Sequence, residues 1–237
     1  MNMNLNFGIE TEVEIVRTSR KKTVSFRIKD GKVLVTAPNK LSDKIIAEMI
    51  NKRSAWIEKN LRILSERPTI EPKKYVNGEA FLYLGKSYAL QFVEGNSIGV
   101  AIEGNCLNVS ANTTVPASKR QQHIKDLLTA WYLDKAKDHF GVKTNEYAEL
   151  LGLEPKSVIV KSYKARWGAC STKGDISYNW KLILSPPHII DYVVVHELCH
   201  MKQHNHSPLF WKLVEDVIPD HKARRKWLRI NDELLSV

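Results

Sequence analysis

Apolar and polar residues alternate in several short segments of the N-terminal half, a pattern that is typical of half-buried β-strands. The predicted strands are residues 10–17, 23–29, 32–37, 80–84, 87–93 and 99–109. Asp30-Gly31 separates the second of these strands from the third and favours a two-residue hairpin turn, and Gly85-Lys86 is a similar signal. The first half of the chain is therefore predicted to be rich in β-strands.

Apolar residues recur at intervals of three and four in two further stretches, which indicates amphipathic helices. One predicted helix follows Ser42-Asp43 and reaches Leu61, with a break near Arg53-Ser54. The other stretch, residues 118–150, forms one long helix or two shorter ones. The sequence shows no internal repeat.

Prolines at both ends of residues 67–72 mark the most linker-like segment of the chain. We group the later short strands with the earlier ones, because the N-terminal half differs in pattern from the rest of the chain. This grouping predicts a β-rich N-terminal module with one helical segment, residues 1–110, and a second domain, residues 111–237.

The second domain mixes strands and helices, which predicts an α+β fold. Residues 157–163 and 175–184 have strand patterns, and a glycine-marked loop, residues 164–174, joins them. After Pro186-Pro187, a wide apolar face predicts a buried helix, and Ser207-Pro208 is a typical start for another.

The first of these helices carries the most informative chemistry of the chain. His196-Glu197-Leu198-Cys199-His200 has the pattern H-E-x-x-H. Two histidines four residues apart on a helix share one face and can bind one metal ion, while the glutamate beside them is placed to take a proton from an activated water. The motif predicts a metal-dependent hydrolase.

Catalytic zinc usually takes three protein ligands, so a third is needed. His206 is the better candidate, since a turn at Asn205, in the left-handed conformation, would present it from a separate direction. His204 is the rival, because it lies four residues after His200 on the same helical face.

Composition places the chain among globular proteins and says less about its chemistry. The 237 residues are 43% hydrophobic, carry a net charge of +10 and include three cysteines. Few cysteines, no secretory signal and no long apolar run favour a cytoplasmic protein without a membrane span. The positive charge permits nucleic-acid binding, but a solvated surface is the favoured explanation. The oligomeric state is left open.

Four motifs together resemble a known family, the YgjP-like branch of the SprT-like zinc metallopeptidase-type hydrolases. They are residues 166–171, 176–180, 196–200 and 206–211, within a matching stretch of residues 161–228. The resemblance implies a zincin-type core in which His196, His200 and His206 hold Zn²⁺ and Glu197 is the acid/base. Arg166 falls in the family's R-W-G-x-C-S motif.

We therefore expect a zinc-dependent hydrolase in which a further donor stabilises the developing oxyanion. Arg166 is the preferred donor, with Tyr163 and Tyr178 as alternatives, and a loop anchor bonded to backbone carbonyls is the other explanation for Arg166. The strand over residues 175–184 is expected to line the cleft, so that Tyr178 and Trp180 contact the substrate.

The substrate class divides the remaining hypotheses. A peptide or protein is favoured, and a long groove with an exposed strand edge would support it. Nucleoside triphosphate hydrolysis is the alternative, since some family members carry a nucleotide pyrophosphatase label, although the chain has no glycine-rich phosphate loop. A non-enzymatic module with a structural metal is the third hypothesis, and Glu197 argues against it.

Overall fold

The computed structural model describes residues 2–6, 10–29, 31–68, 71–93, 98–110 and 116–237. Asp30 of the predicted hairpin turn lies outside the described residues. The chain contains two compact units, Met1–Thr69 and Ile70–Val237. The division falls inside the predicted linker and not at residue 110, because the later short strands share one hydrophobic core with the C-terminal helices.

The first unit consists of a mixed sheet followed by two helices. Its strands are β1 (Asn2–Asn6), β2 (Glu10–Thr18), β3 (Ser25–Lys29) and β4 (Lys32–Pro38), in the order β1-β2-β4-β3. The helices are α1 (Asp43–Lys52) and α2 (Ser54–Ser65), which confirms the predicted break. The β3–β4 hairpin is confirmed as well, since Lys29 pairs with Lys32. Fully buried aliphatic side chains from the sheet and both helices form the core.

The second unit begins with another four-stranded sheet. Its strands are β5 (Ala80–Tyr83), β6 (Lys86–Phe92), β7 (Gly99–Glu103) and β8 (Cys106–Ser110), in the order β5-β6-β8-β7. The single strand predicted at 99–109 is thus two strands, with Gly104 in the left-handed conformation between them. Both sheets combine one central parallel pair with two outer antiparallel pairs. The strand arrangement is therefore repeated, although the sequence is not.

A single long helix, α3 (Ala117–Leu151), follows this sheet. Its fully buried positions include Leu128, Tyr132, Ala136 and Phe140, and the spacing of four keeps them on one face. This face packs on the segment that leads to the H-E-x-x-H helix. The helix ends at Gly152, which takes the left-handed conformation that glycine adopts without steric cost.

A three-stranded sheet precedes the motif helix. It is formed by β9 (Ser157–Lys161), β10 (Gly168–Cys170) and β11 (Asp175–Asn179), with β11 in the centre. The strand predicted over residues 175–184 is wrong beyond Asn179, since Trp180–Leu184 form a 3₁₀ helix. The Asn179 side chain accepts from the Lys181 amide and starts this helix, in the way that a capping residue does.

Three helices complete the unit: α4 (Pro187–Lys202), α5 (Pro208–Val217) and α6 (His221–Asn231), before a short 3₁₀ helix, Asp232–Leu234. The hydroxyl of Ser207 accepts from the Phe210 amide, which confirms the predicted start of α5. Among the described residues, no helix combines the length and apolarity needed to cross a membrane. The expected mixture of helices and strands is confirmed.

Candidate metal centre

Three histidines meet at the C-terminal end of α4. The potential ligand atoms of His196, His200 and His206 all lie within 4.8 Å of one another. The Nε2 atoms of His196 and His206 are 3.1 Å apart. His204 is exposed and lies outside this group. The fold therefore brings His206, and not its rival, to the histidine pair of the motif.

The ring of His200 is oriented by the chain that leaves α4. Its Nδ1 lies 3.1 Å from the carbonyl oxygen of Gln203, so Nδ1–H donates there and Nε2 is left facing the other two rings. Such a hydrogen bond from the far nitrogen is the usual way in which proteins hold a metal-binding imidazole.

Phe210 supplies the apolar base of the triad. Its ring is fully buried, and its centroid lies 4.9, 4.4 and 4.9 Å from those of His196, His200 and His206. One aromatic ring thus contacts all three imidazoles. The first turn of α5 therefore contributes to the site through packing, a role that the sequence analysis did not assign to it.

The turn that carries His206 is built from polar side chains. The side-chain oxygen Oδ1 of Asn205 accepts from the Ser207 backbone amide at 3.1 Å and from the Gln203 side-chain amide at 2.9 Å. The predicted left-handed conformation of Asn205 is wrong, since its φ is not positive. Trp211 stacks on the His206 ring, with 5.6 Å between the ring centroids.

Glu197 lies beneath strand β10. Its side chain is 6% exposed. A Cβ atom built on Gly168 would lie 2.6 Å from both Cγ and Oε1 of Glu197, closer than any real contact. Only glycine therefore leaves room for this carboxylate, which explains the glycine of the R-W-G-x-C-S segment.

Burial shifts the pKa values of the His196 and Glu197 side chains in opposite directions. It lowers the pKa of His196 to about 3, with neighbouring charges acting in the same direction, so the imidazole is neutral and its lone pair is available to a metal. It raises the pKa of Glu197 to about 8, against the opposing charge of Arg166. A carboxyl group whose pKa is close to neutral pH can both accept and return a proton.

Arg166 is exposed on the loop before β10, with its guanidinium 5.6 Å from the centroid of the Tyr163 ring. The loop itself is anchored by Asn179, whose side-chain amide donates to the carbonyl oxygens of Tyr163 and Arg166. Asn179, and not the arginine, therefore performs the anchoring role. The sequence analysis missed it, although its position in one of the four recognised motifs was a usable signal.

The structure does not place Tyr178 and Trp180 where substrate contacts would require them. Tyr178 is fully buried and its hydroxyl lies 3.0 Å from that of Thr144 on α3. Trp180 is 5% exposed and donates to the Ser162 hydroxyl. Strand β11 is paired on both edges, so it cannot accept a further strand. The expectation for both residues is corrected: their large rings complete the core.

Comparison with known proteins identifies the family. A model described as the YgjP-like metallopeptidase domain matches residues 22–231. The chain belongs to this family. As a YgjP-like protein it is a metal-dependent hydrolase of the metallopeptidase type, and the family implies a catalytic metal. A search of curated proteins finds no match.

Two solved structures overlap with part of the chain. The metallopeptidase zymogen of Pyrococcus abyssi abylysin is 26% identical, with 40% of this chain and 94% of that chain covered and a TM-score of 0.36. The metallopeptidase zymogen of Methanocaldococcus jannaschii jannalysin is 21% identical, with 40% and 96% covered and a TM-score of 0.35. These scores are too low to establish a shared fold.

Proposed function

We propose that this protein is a zinc-dependent peptidase, with His196, His200 and His206 as the metal ligands and Glu197 as the acid/base, in a zincin-like arrangement. The observation that carries the proposal is the 3.1 Å distance between the Nε2 atoms of His196 and His206. Tetrahedral zinc with Zn–N bonds of about 2.0–2.1 Å separates its ligands by about 3.4 Å. The donor set and its spacing therefore suit zinc.

When bound, zinc supplies Lewis acidity and lowers the pKa of a water molecule towards neutrality. The chain's own residues manage the proton. Glu197 accepts it at a carboxylate oxygen and returns it to the leaving amine, a role supported by its raised pKa. Gly168 limits where the Glu197 carboxylate can lie, since the backbone of this glycine is in direct contact with the Glu197 side chain.

Arg166 is proposed to stabilise the negative charge that develops on the scissile carbonyl oxygen. Its guanidinium is exposed and its charge acts on Glu197, so it borders the reaction centre, and it forms no ion pair with any residue that the structure describes. A planar cation with several donors suits this task.

An extended peptide is proposed to pair with β10. In the described sheet this strand has β11 on one side only and lies against α4. Its backbone therefore presents an edge beside Glu197, and an added strand would place a peptide bond over the histidine triad. This edge replaces the β11 edge expected from the sequence.

The test compares wild type with Glu197→Gln, which keeps the shape of the side chain and removes its basicity. Zinc content is measured by atomic emission, and turnover on an unfolded-protein substrate by release of new termini. We expect full zinc retention and a loss of turnover of several powers of ten, about the size of base catalysis and water activation combined. Glu149→Gln on α3 is the matched control and should behave as wild type.

Loss of zinc in Glu197→Gln would make this residue part of the metal site and would contradict the proposed role. Peptide turnover that survives the substitution would contradict the mechanism. Triphosphate hydrolysis that depends on Glu197, without peptide hydrolysis, would establish the nucleotide alternative. A zinc-loaded protein that hydrolyses neither would point to the structural-metal alternative.

A further inference from the structure

A large cleft opens beside the loop that carries Arg166. It has a volume of about 870 Å³ and lies entirely within the second unit. Its walls come from the segment before β5, the first turns of α3, the loop before β10 and the end of the chain after α6. Apart from Arg166, the residues that line this cleft have no role in the proposed mechanism.

Positive charge is in excess around the cleft. Its five cationic residues are Lys73, Lys125, Lys164, Arg166 and Lys181. Its three acidic residues are Glu71, Asp232 and Glu233. Within the described chain, Glu71 has its own partner in Lys74, at 3.7 Å.

The lysines of the cleft, by contrast, are not paired with described carboxylates. Lys73 donates to the carbonyl oxygen of Ala80, which carries no net charge. Lys125, Lys164 and Lys181 form no ion pair within the described part of the chain. A concave surface with uncompensated positive charge concentrates its field on a bound anion.

The cleft is joined to the reaction centre by one short segment. Arg166 and Trp167 line the cleft, and Gly168, the next residue, lies against Glu197. Asn179 lines the cleft and holds this segment by donating to the Arg166 carbonyl. A peptide that pairs with β10 would therefore pass close to the cleft.

We propose that this cleft is a subsite for acidic side chains, so that the enzyme prefers peptides carrying Asp or Glu beside the scissile bond. The proposal rests on the peptidase function given above. Lys125 and Lys181 are the specificity-determining residues, because they approach the cleft from α3 and from the 3₁₀ helix after β11.

A peptide carboxylate fits the cleft better than a triphosphate does. The cations come from four separate segments, and acidic residues line the same cleft. Asp232 and Glu233 line this cleft, so a ligand with several adjacent negative charges would lie close to like charge there.

Binding is tested on zinc-loaded Glu197→Gln, which does not need turnover. A fluorescent peptide containing glutamates and its glutamine counterpart are compared by anisotropy at low salt. We expect the acidic peptide to bind about tenfold more tightly. Lys125→Gln and Lys181→Gln should each weaken it by about threefold to tenfold and leave the glutamine peptide unchanged. Lys137→Gln on α3, exposed and outside the cleft, is the matched control.

Equal binding of the two peptides, or equal weakening by Lys137→Gln, would overturn the proposal. So would displacement of the peptide by a nucleoside triphosphate that wild type then hydrolyses. In wild type, the same preference should appear in kcat/KM for matched peptides. If no peptide is cleaved while the lysine-dependent binding persists, the peptidase function fails and the acidic-peptide subsite stands.

Discussion

Gly168 lies directly against Glu197, close enough that no other residue type fits at position 168 without moving the carboxylate. The contact joins strand β10 to helix α4, and with them the two most distinctive motifs of the sequence. Glycine is therefore required here for close approach, since its φ is not among the positive values.

Gly168→Ala should reduce turnover while leaving zinc bound. The new methyl group would lie 2.6 Å from Cγ and Oε1 of Glu197 and must displace them. A misplacement of about 1 Å costs about a hundredfold in rate. Peptide turnover and zinc content measure the two effects separately.

Gly141→Ala is the control for this substitution. Gly141 lies inside α3, and a Cβ there meets nothing within 4 Å. The variant should keep full activity and gain about 0.5–1 kcal/mol in the free energy of unfolding, because alanine favours the helix. Wild-type turnover in Gly168→Ala would show that the position of Glu197 does not limit catalysis.

Phe210→Leu should weaken zinc binding more than its loss of stability explains. The ring contacts all three histidines, and a smaller aliphatic side chain leaves them free to tilt. Loss of groups that orient ligands typically costs about 10–100-fold in metal affinity. Competition with a chromophoric chelator measures the affinity.

Phe140→Leu is the matched control, since Phe140 is equally buried but packs on Tyr178. Both variants should lose stability, and only Phe210→Leu should lose zinc affinity. Equal zinc affinities in the two variants would contradict the proposal that Phe210 orients the three histidines.

His206→Ala should lower zinc affinity by at least about a hundredfold, because a site with two imidazoles lacks the third ligand that catalytic zinc requires. His204→Ala should bind zinc as wild type does, since its side chain is exposed and outside the triad. Isothermal titration with zinc distinguishes them. Full retention in His206→Ala would refute the proposed ligand set.

Asp175 should stabilise the β10–β11 turn in a pH-dependent manner. Its carboxylate accepts from the hydroxyls of Ser157 and Ser171, at 2.8 and 3.0 Å. These bonds lower its pKa below the usual 3.8. The contribution is therefore complete above about pH 4 and is lost as the pH falls through the folded-state pKa.

Asp175→Asn measures this contribution by subtraction. Denaturant unfolding of both proteins is measured from pH 7 to pH 2. The difference between their free energies of unfolding should be constant down to about pH 4 and shrink below it, since the contributions of the other carboxylates are the same in both proteins and cancel. A difference that grows towards acid pH would mean that the hydrogen bonds do not favour the charged form.

Local patterns in the sequence were sufficient for most elements and for the chemistry of the motif helix. The hairpin at Asp30-Gly31, the helix break at Arg53 and the start of α5 at Ser207 were all predicted. Each depends on neighbouring residues alone, through turn preferences or capping. The spacing of His196, Glu197 and His200 likewise needs only the geometry of a helix.

Tertiary structure decided what depends on residues distant in sequence. It brought His206, and not His204, to the pair, since the turn after α4 sets the direction of each ring. It buried Tyr178 and Trp180, because aromatic rings of α3 pack on both side chains. The contact between Gly168 and Glu197 and the repeated order of the two four-stranded sheets also arise only when separate segments pack together. Periodicity shows which face of an element is apolar, but not which element will cover it.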